Sequence, residues 1–388
     1  MSEGQGTERA GAELAKWGRL DAARAPVDAS DYVLRGMRWR TEGNEARAMA
    51  DFDEAIRICT YAIHSNPTSY HFKWRGAAWS HKREFDHAIG DFSRAISLDP
   101  QSAEAYAGRG KAWYGKNDRE RAISDYTEAI RLHPAGHWPY VNRAEVYMDA
   151  GDPDRAIADY TKALSLDSEE WITYDARGMA WHRKGELDAA IADYSEAIRL
   201  NPARHWSYVN RADAYRDGGD LDRAIGDYTK ALSLVEHWTT YDSRGMAWQR
   251  KGELDAAIAD YANAIRIAPE VAEPYCYRGR ACCEKGEYDR ALVDLNDAIR
   301  LDPTDATTHN DRALVWYHKG ELDQAILDVT EAIRLAPQQA SFFINRGKAH
   351  LKKRDIDRAK ADFDEAVRLD PDRDGEIRTY MAKAVEAR

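Results

Sequence analysis

The feature that most constrains this 388-residue chain is that it repeats itself about every 34 residues. Tyr106-Ala-Gly-Arg-Gly-Lys-Ala-Trp113, Tyr174-Asp-Ala-Arg-Gly-Met-Ala-Trp181 and Tyr241-Asp-Ser-Arg-Gly-Met-Ala-Trp248 are three copies of one phrase. A unit this short cannot bury an apolar face alone, so units must stack and share a continuous core. Ten units begin near Ala29, Ser69, Ala103, His137, Trp171, His205, Trp238, Ala272, Ala306 and Ala340. The expected organisation is a leader with a capping helix at 1–28, a ten-repeat array at 29–373 and a C-terminal capping helix at 374–388. Leu14, Trp17 and Leu20 mark the first cap, and Ile377, Tyr380, Met381, Ala384 and Val385 the second.

Each unit reads as two amphipathic helices around a turn at its fifteenth place, usually glycine: Gly43, Gly151, Gly185, Gly219, Gly252, Gly286 and Gly320. Eight of 12 prolines, from Pro67 to Pro371, fall where the second helix must close, because proline has no backbone donor to continue it. Pro139, Pro153 and Pro274 fall in first turns, where that donor is unpaired anyway. After Ile58 the first unit carries extra residues before Pro67, lengthening its second helix by about two turns. The block from Trp171 matches the block from Trp238 at 25 of 34 positions, so a two-repeat segment has been duplicated.

Small residues recur where two helices must approach closely: alanine at the twentieth and twenty-seventh places of every unit, glycine or alanine at the eighth. Rings at the fourth, eleventh and twenty-fourth places, such as Tyr106, Trp113 and Tyr126, are the complementary knobs. This spacing resembles the tetratricopeptide repeat (TPR) family over residues 29–373. The resemblance implies an all-α, right-handed superhelical solenoid whose first helices line a groove that holds peptides or proteins. Two columns go beyond the common pattern. Arginine holds the seventh place in every unit (Arg35 through Arg346), and aspartate the twenty-third (Asp51 through Asp362). Both lie eight residues from the turn centre, so an antiparallel hairpin puts them level and predicts an Arg–Asp pair per repeat. Ten equivalent copies suit an architectural device rather than an active site.

Charge and motif content narrow the function classes. Lys plus Arg number 56 against 67 Asp plus Glu, a net charge of -11, which gives no general attraction to phosphate backbones, so a nucleic-acid partner is not expected. No apolar run approaches a membrane span, and the N-terminus has no basic start followed by an apolar stretch. Cys59, Cys276, Cys282 and Cys283 form no disulfide framework, which fits a reducing cytoplasm as the location. They offer no CxxC pair, and no phosphate loop, HExxH or nucleophile elbow appears, so neither metal, cofactor nor catalytic residue is assigned. The reading is a cytoplasmic, non-catalytic protein-binding scaffold; the alternative is an enzyme or enzyme subunit with its active site built in the groove. Oligomeric state stays open.

The resemblance places the second, fifth, sixth, ninth, twelfth and thirteenth places of each first helix toward the groove. The partner-facing candidates are Tyr70, Lys73, Trp74, Lys111, Tyr114, Trp138, Asn142, Met179, Arg183, Trp206, Asn210 and Arg250. Trp, Met and Arg gathered on one face have the composition of an interface centre. An inward asparagine can bond both the N–H and the C=O of an extended chain. Trp138 with Asn142 and Trp206 with Asn210 repeat one arrangement two units apart. Chaperone-binding members carry a clamp for a terminal carboxylate; Lys73 matches its first residue, but Ala77, Gly108 and Trp138 replace later ones, which disfavours that role.

Overall fold

The computed structural model describes residues 27–386, with side chains as far as Met381. The expected N-terminal cap around Leu14, Trp17 and Leu20, and the side chains of Ala384 and Val385, lie outside the described residues. Among those residues there are 21 α-helices, one short 3-10 turn and no strand. Two compact units are present, one ending at Pro202 and the next beginning at Ala203, so each holds five repeats. Within each unit the first and second helices of a repeat pack as a hairpin, and each second helix packs on the first helix of the following repeat.

The turn explains the glycine column. All ten fifteenth places are left-handed: the seven glycines at φ between +76° and +88°, and Arg83, Asn117 and Arg354 at 64°, 63° and 65°. Left-handed backbone crowds a Cβ, which is why glycine dominates there. The helix Glu45–Ser65 has 21 residues where the other second helices have 14, which is the added length expected after Ile58.

Packing follows the small-and-large pattern. A Cβ at Gly178 or Gly245 would stand 2.7 Å from the ring of Tyr194 or Tyr261, so the eighth place is the hole and the twenty-fourth the knob. The rings of Tyr126, Tyr160, Tyr194, Tyr228 and Tyr261 are at most 2% exposed. Cys282 lies in the core where other repeats place tryptophan. At the C-terminus, Ile377 is buried with Phe363, and Tyr380 lies on the same cluster.

The Arg–Asp ladder is complete. In every repeat Nε and Nη2 of the arginine donate to the two oxygens of its aspartate, with the closest contact at 2.6–2.8 Å. The guanidinium also lies 5.2–6.0 Å from the ring at the fourth place in nine repeats. A further bond was not visible in the sequence pattern. Nη1 reaches back to the twenty-fifth place of the preceding repeat: Arg109 to Ser93 (3.2 Å), Arg177 to Thr161 (3.1 Å), Arg244 to Thr229 (2.9 Å), Arg312 to Asn296 (2.7 Å). One planar fork therefore fixes the register within a repeat and between neighbours.

Candidate partner-binding groove

The first helices Ala29–Thr41, Ser69–His81, Ala103–Gly115 and Trp138–Asp149 turn their inner faces toward one cleft of about 570 Å³ in the first unit. Five expected residues line it: Lys73, Trp74, Lys111, Trp138 and Asn142. Most other lining residues also occupy the expected inward places, among them Val33, Leu34, Met37, Ala107 and Gly108. Phe92, from a second helix, joins them because Gly108 has no side chain: a Cβ there would stand 2.4 Å from its ring. The cleft thus exists because the third repeat has Gly108 at the place where its neighbours carry Trp74 and Asn142.

Its electrostatics are local. Lys73 lies 3.8 Å from Glu104, while Lys111 has no ion-pair or hydrogen-bond partner among the described residues. Burial, with Lys111 and Arg40 nearby, holds the His81 imidazole well below the usual histidine range, so it adds no charge near neutral pH. That ring stacks on Phe52 at 5.1 Å.

The remaining candidates are held by the protein itself. Tyr70 donates its hydroxyl to Asp28 and Ser30 at 2.9 and 3.2 Å and meets Trp74 edge-on. Tyr114 donates to the Asp149 carboxylate. Met179 packs against the core around Tyr160. Arg183 and Arg250 each donate to a carbonyl near the end of the preceding repeat's first helix, Met148 at 3.2 Å and Arg216 at 3.1 Å. In the second unit Trp206 contacts the rings of His205 and His237 at 4.8 and 5.4 Å. Burial first, then Arg204 and His237, push His205 down to about 4. Asn210 is half-buried beside these rings in sequence but adds no wall to the first unit's cleft.

Two features escaped the sequence reading. Asp242, at an inward fifth place, is 4% exposed, and neither of its carboxylate oxygens finds a hydrogen bond among the described residues. Burial first, then Glu273 and Asp260, push its carboxyl up to about 8. Four other repeats have Val33, Val141, Val209 or Ile344 at this place, but Asp175, Lys73 and Asn310 also stand there, so the place alone does not mark Asp242. Separately, His137, Asp167 and Glu170 bring one nitrogen and two carboxylate oxygens within 4.8 Å of one another, a donor set that can hold a divalent cation. The second copy of the duplicated segment has Val235 and His237 in place of the two acids.

Comparison with known proteins agrees with this repeat geometry. Family models described as "Tetratricopeptide repeat" match residues 40–103, 77–137, 141–205, 209–272 and 340–373, and one described as "TPR repeat" matches 279–320. The chain belongs to the tetratricopeptide repeat family. The Small glutamine-rich tetratricopeptide repeat-containing protein 2 of Saccharomyces cerevisiae is 34% identical to this TPR chain over 83 residues, 21% of it and 24% of the yeast protein. Its namesake in Mycosarcoma maydis is 34% identical over 76 residues, 19% and 22% of the two chains. The TPR chain thus spans about a quarter of the length of these curated relatives. The C-terminal part of a TPR repeat-containing protein from Cytophaga hutchinsonii shares the fold at 18% identity and a TM-score of 0.53, covering 62% of this chain and 98% of that one. Among the described residues no helix is long and apolar enough to cross a membrane.

Proposed function

We propose that this TPR protein is a non-catalytic scaffold that holds a segment of a partner protein along the inner faces of its first helices, with the cleft of the first unit as the principal anchor. The observation that carries this reading is the cleft itself. Four successive first helices contribute to it, and it combines Trp74 and Trp138 with Lys73, Lys111 and Asn142. Large rings beside a few polar groups are the composition of a protein-binding hot spot. In the second unit, Trp206 and Asn210 repeat the Trp138 and Asn142 pair and offer a secondary contact of the same kind.

The test compares proteins captured by the wild type and by Trp138→Ala, with the melting temperature of both measured alongside. A partner lost or weakened about tenfold by the variant, while the melting temperature holds, supports the cleft as anchor. A partner retained at equal affinity overturns it. A lowered melting temperature with unchanged affinity of the folded fraction makes Trp138 a packing residue and removes the reason for placing the anchor here.

A further inference from the structure

The cleft also says what kind of segment fits it, an inference that rests on the scaffold reading above. Its inner wall is uneven. Repeats 2 and 4 present Trp74 and Trp138, whereas repeat 3 between them presents Ala107 and Gly108, with the Phe92 ring beside the missing side chain. That leaves an apolar seat with aromatic walls, the size class of a bulky side chain rather than of backbone alone.

The charge beside the gap over repeat 3 is opposite in sign to the molecule's. The chain carries -11 overall, and free charges further than about 8 Å are screened at physiological salt, so the groups at the cleft decide which segment is accepted. Glu104 lies by Lys73, Asp167 and Glu170 gather on the lining residue His137 of repeat 4, His81 is neutral, and Arg40 is held by both oxygens of Glu45. Lys111 is exposed and has no acidic partner among the described residues. The cleft therefore presents one uncompensated cation one helical turn from the gap over repeat 3.

The occupant must also be long. The lining comes from four first helices, which at about 9 Å between packed axes span roughly 27 Å, the reach of about eight residues of extended chain. A compact small molecule contacts only part of that length.

We infer that the first unit's cleft binds an extended, acidic protein segment that inserts one aromatic or large aliphatic side chain between Trp74 and Trp138 and places a carboxylate on Lys111. Insertion desolvates the ring, and the neighbouring carboxylate supplies the charge that Lys111 lacks. Asn142 lines the same cleft, and its amide can bond the backbone of such a segment.

Fluorescein-labelled synthetic peptides of about ten residues test this by anisotropy: one with a central Trp flanked by Glu, one with Trp flanked by Lys, and one with a central Ala flanked by Glu. The acidic Trp peptide is expected to bind the full-length protein at least about tenfold tighter than either of the others, and to weaken as salt is raised. Lys111→Glu, at an exposed position whose melting temperature checks folding, is expected to reverse the preference toward the Lys-flanked peptide. Equal affinity for acidic and basic peptides, or a preference that Lys111→Glu leaves unchanged, overturns the inference. If the basic peptide binds tightly and Trp138→Ala abolishes it, the acidic assignment fails while the scaffold reading stands; if no peptide of either charge binds, both fail. N-acetyltryptophan binding as tightly as the acidic peptide makes the occupant a small anion and overturns the segment.

Discussion

At Arg83, Asn117 and Arg354 a side chain sits on left-handed backbone that the other seven repeats give to glycine. Glycine relieves the Cβ crowding but adds freedom to the unfolded chain, so the two effects partly cancel. Arg354→Gly should therefore stabilise by only about 0.5 kcal/mol, and Asn117→Gly by less, since asparagine tolerates this conformation better. The reverse change, Gly252→Ala, should cost about 1 kcal/mol; thermal melts of the three variants in one buffer give the ranking. Asp242 makes a second residue-level prediction. Its folded carboxyl is pushed up to about 8 while an unfolded aspartate titrates near 4, so between these values the folded state holds a proton that the unfolded state has released. Stability from this group is full below about pH 4 and falls as pH rises through about 8. Asp242→Asn removes the titration and should raise stability at pH 7 by up to about 4 kcal/mol, with the gain shrinking to nothing near pH 4. Melting temperatures of both proteins across that range check it; a difference independent of pH would mean Asp242 titrates normally.

Within the helical hairpin the ladder sets both alignment and cost. The side chains of Arg244 and Asp260 are 18% and 6% exposed, so Arg244→Leu leaves a carboxylate stranded in the interior and should destabilise by about 3 kcal/mol. The same change removes the bond that Arg244 donates to the Thr229 hydroxyl of the preceding repeat, which keeps its own bond to the Ile225 carbonyl. Thr229→Val removes that bond between repeats together with the local one to the Ile225 carbonyl, leaves the Arg244–Asp260 pair in place, and should cost about 1 kcal/mol. The two losses share a partner, so the double variant should fall short of their sum. Because a repeat array need not unfold in one step, the readout is amide exchange in Trp238–Lys251 and Leu254–Ile267 rather than a single global transition. Faster exchange in these helices for Arg244→Leu, and little change for Thr229→Val, is the expected pattern.

At the scale of the whole molecule, the last repeat is covered by the helix Asp374–Glu386, whose Ile377 is 5% exposed and whose Tyr380 ring lies 6.4 Å from that of Phe363. Ending the chain after Pro371 removes both and opens the apolar face of the final hairpin. The expected outcome is concentration-dependent self-association in sizing experiments together with a lower melting temperature. A truncated chain that stays monomeric and melts like the full protein would show that this helix is not a cap. The cleft of repeats 1–4 lies elsewhere in the sequence, so peptide binding there should survive the truncation, which separates loss of the cap from loss of function.

Helix periodicity is local, and its consequences were legible in the residues themselves: ten hairpins, the turn at the fifteenth place, the longer helix after Asn44, the ring opposite each small residue, and the level Arg–Asp pair. A place in the repeat fixes which face of its helix a side chain occupies, so the inward places also named most of the cleft's walls. What the repeat could not fix is who meets whom across a repeat boundary, because that depends on how adjacent hairpins are set against each other. Arg183 and Arg250 share an inward place, yet the stacking turns each to a carbonyl of the preceding helix. Nη1 of the ladder arginine reaches the twenty-fifth place for the same reason. The cleft itself arises from three consecutive repeats differing in size at one place, Trp74, Gly108 and Asn142, a contrast that has no meaning until packing brings the three helices side by side. Asp242 reads as an ordinary acid on an inward face; only the structure buries it and leaves both oxygens without a donor among the described residues, since desolvation is a property of neighbours and not of the residue.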